Sequence, residues 1–419
     1  MYKRFQSILI LFVIISMLVV ACAPREEGAK VRMGGLIPLT GALSEFGASF
    51  RLTGDLAVEQ FEEAGFPIEI RYGDTETSAI PGVEAARSLV EVERAQVLIG
   101  AAASGVTIPI ATSVSIPSQV AQISNASTSP LISFLPEDEG RDFLFRTCPS
   151  DALQGVILGK LAYDEGYRRA AVFWVNNPYG EGLMTRFQEA FEFRGGELVG
   201  SVPHDETPAP TYVSELRRIM DANPDVVVAL GYPGQATVYL KEFFEAGYNE
   251  TADLLFVDGT KSVEMPAALG AENLAGYFGT APGTVGGLAL EIFERDYEAK
   301  YGDLPPLPFM SNFYDAVLVA GLAAAACEAK GEEITPICIR DNLRFVANPP
   351  GEEIYPGVDG IRRAIELLED GQDINYEGAA GSVDFDENGD VVTPIEVWRY
   401  TAQEPYIESV RMEADIPER

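Results

Sequence analysis

Leu98-Ile99-Gly100-Ala101-Ala102-Ala103-Ser104-Gly105 is the stretch on which the fold turns. Large apolar residues empty into a glycine, three alanines and a serine, which reads as a strand buried on both faces, a turn and the start of a helix. A serine there caps the helix, and its hydroxyl and the first-turn N–H groups equally suit a carboxylate, helped by the helix dipole. The same alternation extends in both directions. Strands are expected at Val31 to Pro38, Ile68 to Tyr72, Gln96 to Gly100, Ala170 to Val175, Asp225 to Leu230 and Leu254 to Val257. Helices fill the intervals: in Ser49 to Gly65, Leu52, Leu56, Ala57, Phe61 and Ala64 share one face while Asp55, Glu59, Glu62 and Glu63 take the other. Asp315 to Ala326, nearly all Ala, Leu and Val, reads as a helix deep against a sheet.

This is an α/β chain with more strand–helix units than one sheet usually holds. Punctuation at Cys148-Pro149-Ser150 and Thr280-Ala281-Pro282-Gly283 suggests crossings between two lobes. Repeated crossings permit a hinge but not independent tumbling. Ligands of open parallel sheets bind at the carboxyl ends of the strands, so two facing sheets make a cleft.

Composition narrows the chemistry. Among 419 residues, 30 Lys and Arg against 64 Asp and Glu give a net charge of −34, which repels nucleic acid and anionic membrane surfaces. That acidity reads as a solvated surface suited to salty or acidic surroundings. The single histidine, His204, leaves no material for a Ser-His-Asp relay and is expected at the surface, since it lies in a polar, proline-rich stretch. Four cysteines without a CxxC spacing point to no zinc site, and no GxSxG elbow is present. Neither a cofactor nor a metal is expected, and the chain does not read as an enzyme.

At the N-terminus Lys3 and Arg4 precede an apolar run from Ile8 to Ala21, too short to span a bilayer and suited to a signal peptide. Leu18-Val19-Val20-Ala21-Cys22 resembles the lipobox of bacterial lipoproteins. The resemblance implies cleavage before Cys22, a diacylglycerol on its sulfur, and residues 22–30 as a tether; an ordinary secretory peptide is the alternative. An oxidising exterior allows disulfides. Cys327 and Cys338 lie across a helix end near Gly331 and a helix start after Thr335, which favours a bridge, and Cys148 is expected buried as a small apolar residue.

Further strings place polar or aromatic residues where strands end: Gly35 to Gly47 with Phe46, Ile123-Ser124-Asn125-Ala126-Ser127-Thr128-Ser129-Pro130, Asn177-Pro178-Tyr179-Gly180, Gly231-Tyr232-Pro233-Gly234 and Phe256-Val257-Asp258-Gly259. Singly, these are turns, polar loops and packed aromatics. Taken in order, with FRTCPSDALQG, NFYDAV and GSVDFDENGD, they resemble the leucine/isoleucine/valine-binding protein family of solute receptors for ABC transporters, over about Val31 to Tyr400. The resemblance implies a type I periplasmic binding protein, with two doubly wound Rossmann-like lobes joined by three crossings. It implies lobe 1 at 31–147 and 281–379, lobe 2 at 148–280 and 380–405, and a tail at 406–419. Ser104, Ala126 and Thr128 then hold a ligand α-carboxylate, Tyr179 and Tyr232 close over it, Asp258 receives the α-ammonium, and Phe46 stands beside the side chain. The implied partners are an amino acid and an ABC permease, outside the cytoplasm, with the lipid on Cys22 as membrane anchor; a sensory protein for amides, urea or short carboxylic acids is the alternative. Small residues at Ala101 to Ala103 and the string Ala64-Gly65-Phe66-Pro67 depart from many relatives. Asp384-Phe385-Asp386-Glu387-Asn388-Gly389 opens like a calcium loop but reaches Ile395 where a glutamate is needed, so a hairpin between Ser382 to Phe385 and Pro394 to Tyr400 is expected.

Overall fold

The computed structural model describes residues 29–415, so the signal segment and Cys22 lie outside the described residues. Its first sheet is five-stranded and parallel, built from β1 (Val31–Ile37), β2 (Ile68–Asp74), β3 (Val97–Gly100), β4 (Ala121–Ser124) and β5 (Leu144–Arg146) in the order β2-β1-β3-β4-β5. The second is seven-stranded. It contains β6 (Arg169–Val175), β7 (Glu197–His204), β8 (Val226–Leu230), β9 (Asp253–Phe256) and β10 (Phe278–Pro282). A short ladder of β11 (Glu352–Ile354) and β12 (Ile374–Tyr376) belongs to neither sheet, whereas β13 (Ile395–Tyr400) and β14 (Ile407–Glu413) close the second sheet, in the order β14-β13-β10-β9-β8-β6-β7.

Helices cover both faces because the strands bury side chains on both. Ala170 and Val172 of β6 and Val226 and Val228 of β8 pack into one core, while Ala171, Phe173, Val227 and Ala229, one residue out of phase, pack into the other. Numbering the longer helices, α1 (Ser44–Glu63), α2 (Ala79–Glu91) and α3 (Ser104–Ile110) follow strands of the first sheet. The second sheet is covered by α4 (Asp151–Asp164), α5 (Pro178–Phe193), α6 (Val213–Met220) and α7 (Pro233–Glu245). The chain then returns to lobe 1 with α8 (Leu288–Tyr301), α9 (Met310–Ala329), α10 (Pro336–Ala347) and α11 (Val358–Glu369). Helix α9 buries every residue from Met310 to Cys327, nearly all apolar beyond Asp315, whose carboxylate accepts from Tyr376, Ala379 and Ala380; its Phe313 stacks on Phe50 of α1 at 5.6 Å. Cys327 near its end is bonded to Cys338 in α10, whose N-terminus is capped by the Thr335 hydroxyl.

The chain crosses between the lobes after β5, after β10 and before β13, which makes the two sheets one hinged unit. Several expectations need correction. The tail expected at 406–419 contains β14, which pairs antiparallel with β13 and forms the edge of the second sheet. The hairpin expected at 382–400 does not form, because β13 finds its partners in β10 and β14. Residues 386–390 instead fold on themselves, the Asp386 carboxylate accepting the Asn388 and Asp390 amides. His204 is not at the surface: it ends β7, 4% exposed, packed edge-on against Phe173 and Tyr212. Burial lowers its pKa, which favours the neutral ring. The expected helix at 49–65 starts five residues earlier, at Ser44, and the chain leaves it through Gly65 at φ +91°.

Candidate ligand-binding cleft

The first wall of the cleft is set by a glycine. At the end of β3, Gly100 takes φ +112°, and a Cβ there would lie 2.2 Å from the Leu36 carbonyl oxygen, so only glycine fits. The chain then passes Ala101 to Ala103 and enters α3 at Ser104. Ala103 is the N-cap residue, so Ser104 does not cap this helix. Its hydroxyl accepts the Ser129 amide at 3.1 Å, which leaves its proton for a group in the cleft.

The 123–130 loop divides its hydroxyls differently from the sequence expectation. Ser124 and Ser127 donate to the Ala101 carbonyl at 2.7 and 3.1 Å and tie the loop to β3 rather than facing an anion. Thr128 is also set back from the cavity: its hydroxyl donates to Asp151 Oδ2 at 2.9 Å and its carbonyl accepts the Asp151 amide at 2.7 Å. Below the loop, the fully buried Arg146 donates to the carbonyls of Ser127 and Ser129 and forms a two-pronged pair with Asp390, both prongs at 2.7 Å. The third crossing and the loop carrying Ala126 are thereby held by one guanidinium.

The second wall comes from lobe 2. Asn177 caps α5 by accepting the Gly180 amide, which puts Tyr179 in the first turn, and Tyr232 is the residue before α7. Their rings stack at 5.7 Å. Asn177 also donates to the Tyr232 hydroxyl at 2.9 Å and to Glu206 at 2.7 Å. Asp258 opens a tight turn after β9 and accepts from the Tyr179 hydroxyl at 2.9 Å and from Gln154 at 2.8 Å.

Between the walls lies a cavity of about 30 Å³. Ser104, Ala126, Tyr179, Tyr232, Asp258 and Phe46 all line it, together with Leu43, Phe50 and Phe309. Lobe 1 thus supplies the apolar and aromatic residues and the Ser104 hydroxyl, and lobe 2 supplies two phenols and a carboxylate. A larger depression of about 630 Å³ on lobe 1, between the 132–142 segment and Arg344, lacks such a convergence, and Arg344 is spent on Asp142 and the Asp386 carbonyl.

Two carboxylates dominate the electrostatics. Burial raises Asp258 to about 6, against hydrogen bonds from Gln154 and Tyr179 that lower it. Asp151, also fully buried, is raised well above the usual carboxylate range by burial and then by the charge of Asp258. Two neighbouring buried acids cannot both ionise cheaply, and a cation held between the lobes would relieve both. Asp151 Oδ1 and Gln154 Oε1 have no hydrogen-bond partner, which leaves acceptor capacity here.

Sequence reasoning missed Phe50, Phe309, Asp151 and Gln154. Phe50 was within reach, one helical turn after Phe46. Asp151 reads in sequence as an ordinary acid in a helix first turn. Phe309 sits at φ +66° in a proline-rich loop and gives no signal.

A profile described as "Periplasmic binding protein" matches residues 30–386. The chain is 28% identical to the chemotactic signal transduction system substrate-binding protein BasB of Halobacterium salinarum, over 85% of this chain and 84% of that one. It is 24% identical to Leu/Ile/Val-binding protein homolog 3 of Brucella melitensis, over 87% and 90% of the two chains. Among solved structures, the leucine-binding protein LivK of Thermotoga maritima superposes with a TM-score of 0.74 at 23% identity, covering 92% of this chain and 99% of that one. A Rhodopseudomonas palustris solute-binding protein in complex with 3,4-dihydroxybenzoic acid superposes with a TM-score of 0.72 at 17% identity, covering 93% and 98%. With the profile spanning both lobes and the cleft between them, the chain belongs to the periplasmic binding protein family and has its type I fold.

Proposed function

We propose that this protein captures an α-amino acid with an apolar side chain in the interlobe cleft and presents it to an ABC permease from outside the cytoplasm. The observation that carries the reading is the Asp258 carboxylate, with the buried acid Asp151 behind it, facing the Ser104 hydroxyl across a cavity walled by Phe46, Phe50, Leu43 and Phe309. A zwitterion needs a carboxylate-binding corner, an acceptor for its ammonium and an apolar seat, and these residues offer all three. The reading includes residues 1–21 as a removed signal peptide and Cys22 as the lipid anchor, checked by whether Cys22→Ala releases the protein from the membrane fraction.

The test is calorimetry on the protein lacking residues 1–22, unfolded and refolded to strip carried-over ligand, titrated with the twenty amino acids and then with benzoate and small amides. One-to-one binding of an apolar amino acid is the expected result. Binding of benzoate or an uncharged amide alone would discard the zwitterion site, because neither brings a cation to Asp258. The similarity to BasB favours a second reading, in which the loaded protein signals to a membrane partner instead of feeding a permease. Loss of labelled amino-acid uptake on gene deletion supports transport; intact uptake with a lost behavioural response supports signalling.

A further inference from the structure

Glu45 is the second residue of α1, yet its carboxylate points away from its own helix and across the cleft. It accepts from the Ser262 hydroxyl at 2.5 Å, the Val263 amide at 2.9 Å and the Glu264 amide at 3.2 Å, all in lobe 2. Its neighbours Leu43 and Phe46 line the ligand cavity, but Glu45 does not. Thr128 and Asp151 are doubly bonded next to the first crossing, and away from the crossings the Gly234 amide meets the Ala42 carbonyl at 3.2 Å and the Ser129 hydroxyl the Pro178 carbonyl at 2.9 Å. Asp390 also takes several donors from lobe 1, but it lies at the third crossing; Glu45 does so from the first turn of α1, next to cavity-lining residues.

We propose that Glu45 is a closure residue: it sets how long the ligand stays by bonding lobe 2 in the closed state, without touching the ligand. A two-lobe receptor releases its ligand by opening, and a group that bonds across the cleft only when closed slows that opening and enlarges the closed population. The receptor for these bonds is preformed. Ser262 Oγ accepts the Met265 amide at 3.1 Å, and the Tyr400 hydroxyl donates to the Thr260 carbonyl at 2.6 Å, so the 260–265 turn is braced within lobe 2. The proposal rests on closure of this cleft over a ligand, though not on which ligand that is.

In the protein lacking residues 1–22, spin labels at Ile80 and Val213, exposed in the first turns of α2 in lobe 1 and α6 in lobe 2, report the interlobe distance; the native disulfide and the buried Cys148 leave the introduced cysteines as the labelling sites. Glu45→Ala is expected to shift the distance distribution to longer separations, while Glu45→Gln, whose amide oxygen still accepts both backbone N–H groups, keeps it close to that of the parent. With L-leucine as probe, Glu45→Ala is expected to speed dissociation about tenfold with association little changed. Ser262→Ala is the second variant. Combined with Glu45→Ala, it should add little to the distance shift, since the two residues share one interaction. Unchanged distances in Glu45→Ala, or an equal shift in Glu45→Gln, would overturn the proposal. The distance measurement on unliganded protein tests closure even if L-leucine does not bind, and that separate failure would count against the amino-acid reading.

Discussion

At Asp258 the pocket concentrates its charge problem and its specificity. The carboxylate is buried beside a second buried acid, and the ammonium of the proposed ligand would answer both. Asp258→Asn is therefore expected to weaken binding of the amino-acid ligand by about 2–5 kcal/mol, read by calorimetry. Ser104→Ala should cost less, about 1 kcal/mol, because a neutral hydroxyl bond is lost. Protonation gives an independent handle. Asp258 is raised to about 6 in the folded protein, so in the unliganded state its contribution to stability is full below the ordinary aspartate range and is lost as pH rises through about 6. A cationic ligand reverses that sign by requiring the ionised form. Affinity should climb as pH rises to about 6, level off above it, and be accompanied below it by proton release, measured by titration in buffers of different ionisation enthalpy. Asp258 and Ser104 were legible because each follows a strand with a distinctive turn string. Asp151 was not, since its role depends on Thr128 and Asp258, which only folding brings to it.

Among the elements, continuous apolar strands were readable and most edge strands were not, β2 excepted, while the interior β10 was hidden by the Pro282-Gly283 punctuation read as a crossing. The interior strands β3 and β8 are continuous apolar runs, fully buried in the structure. The edge strands β7 and β14 alternate imperfectly and are largely exposed or half-buried, so nothing in their composition separates them from loop. The 382–400 expectation failed for a related reason: an Asn-Gly turn signals a hairpin only when the flanking segments lack better partners, and β13 already pairs on both sides. The α9–α10 junction could be read from sequence because a helix stop and a helix cap bring two cysteines together across an 11-residue separation. Opening that bridge with Cys327→Ser and Cys338→Ser is expected to lower stability by roughly 2–4 kcal/mol. Since the bridge is remote from the cleft residues, ligand affinity should be unchanged, which urea unfolding and calorimetry on the same variant would separate.

Over the whole molecule, a net charge of −34 acts against compactness. Most of the ion pairs join partly exposed side chains and offset only a small share of that self-repulsion. Stability, read as the urea midpoint, is therefore expected to rise with NaCl between about 0.05 and 1 M as the screening length falls from above 10 Å to about 3 Å. A flat response would mean that the acidic groups are already spaced widely enough not to interact.

The polarity of β1 has a consequence for how the molecule works at a surface. Its first residues lie at the edge of the sheet opposite the cleft, where the Lys30 amide bonds the Pro67 carbonyl and the Lys30 side chain pairs with Glu328. Whatever holds the chain upstream of this point holds lobe 1, which becomes the stator, and lobe 2 is the rotor. Opening and closing would then swing lobe 2 against a fixed frame.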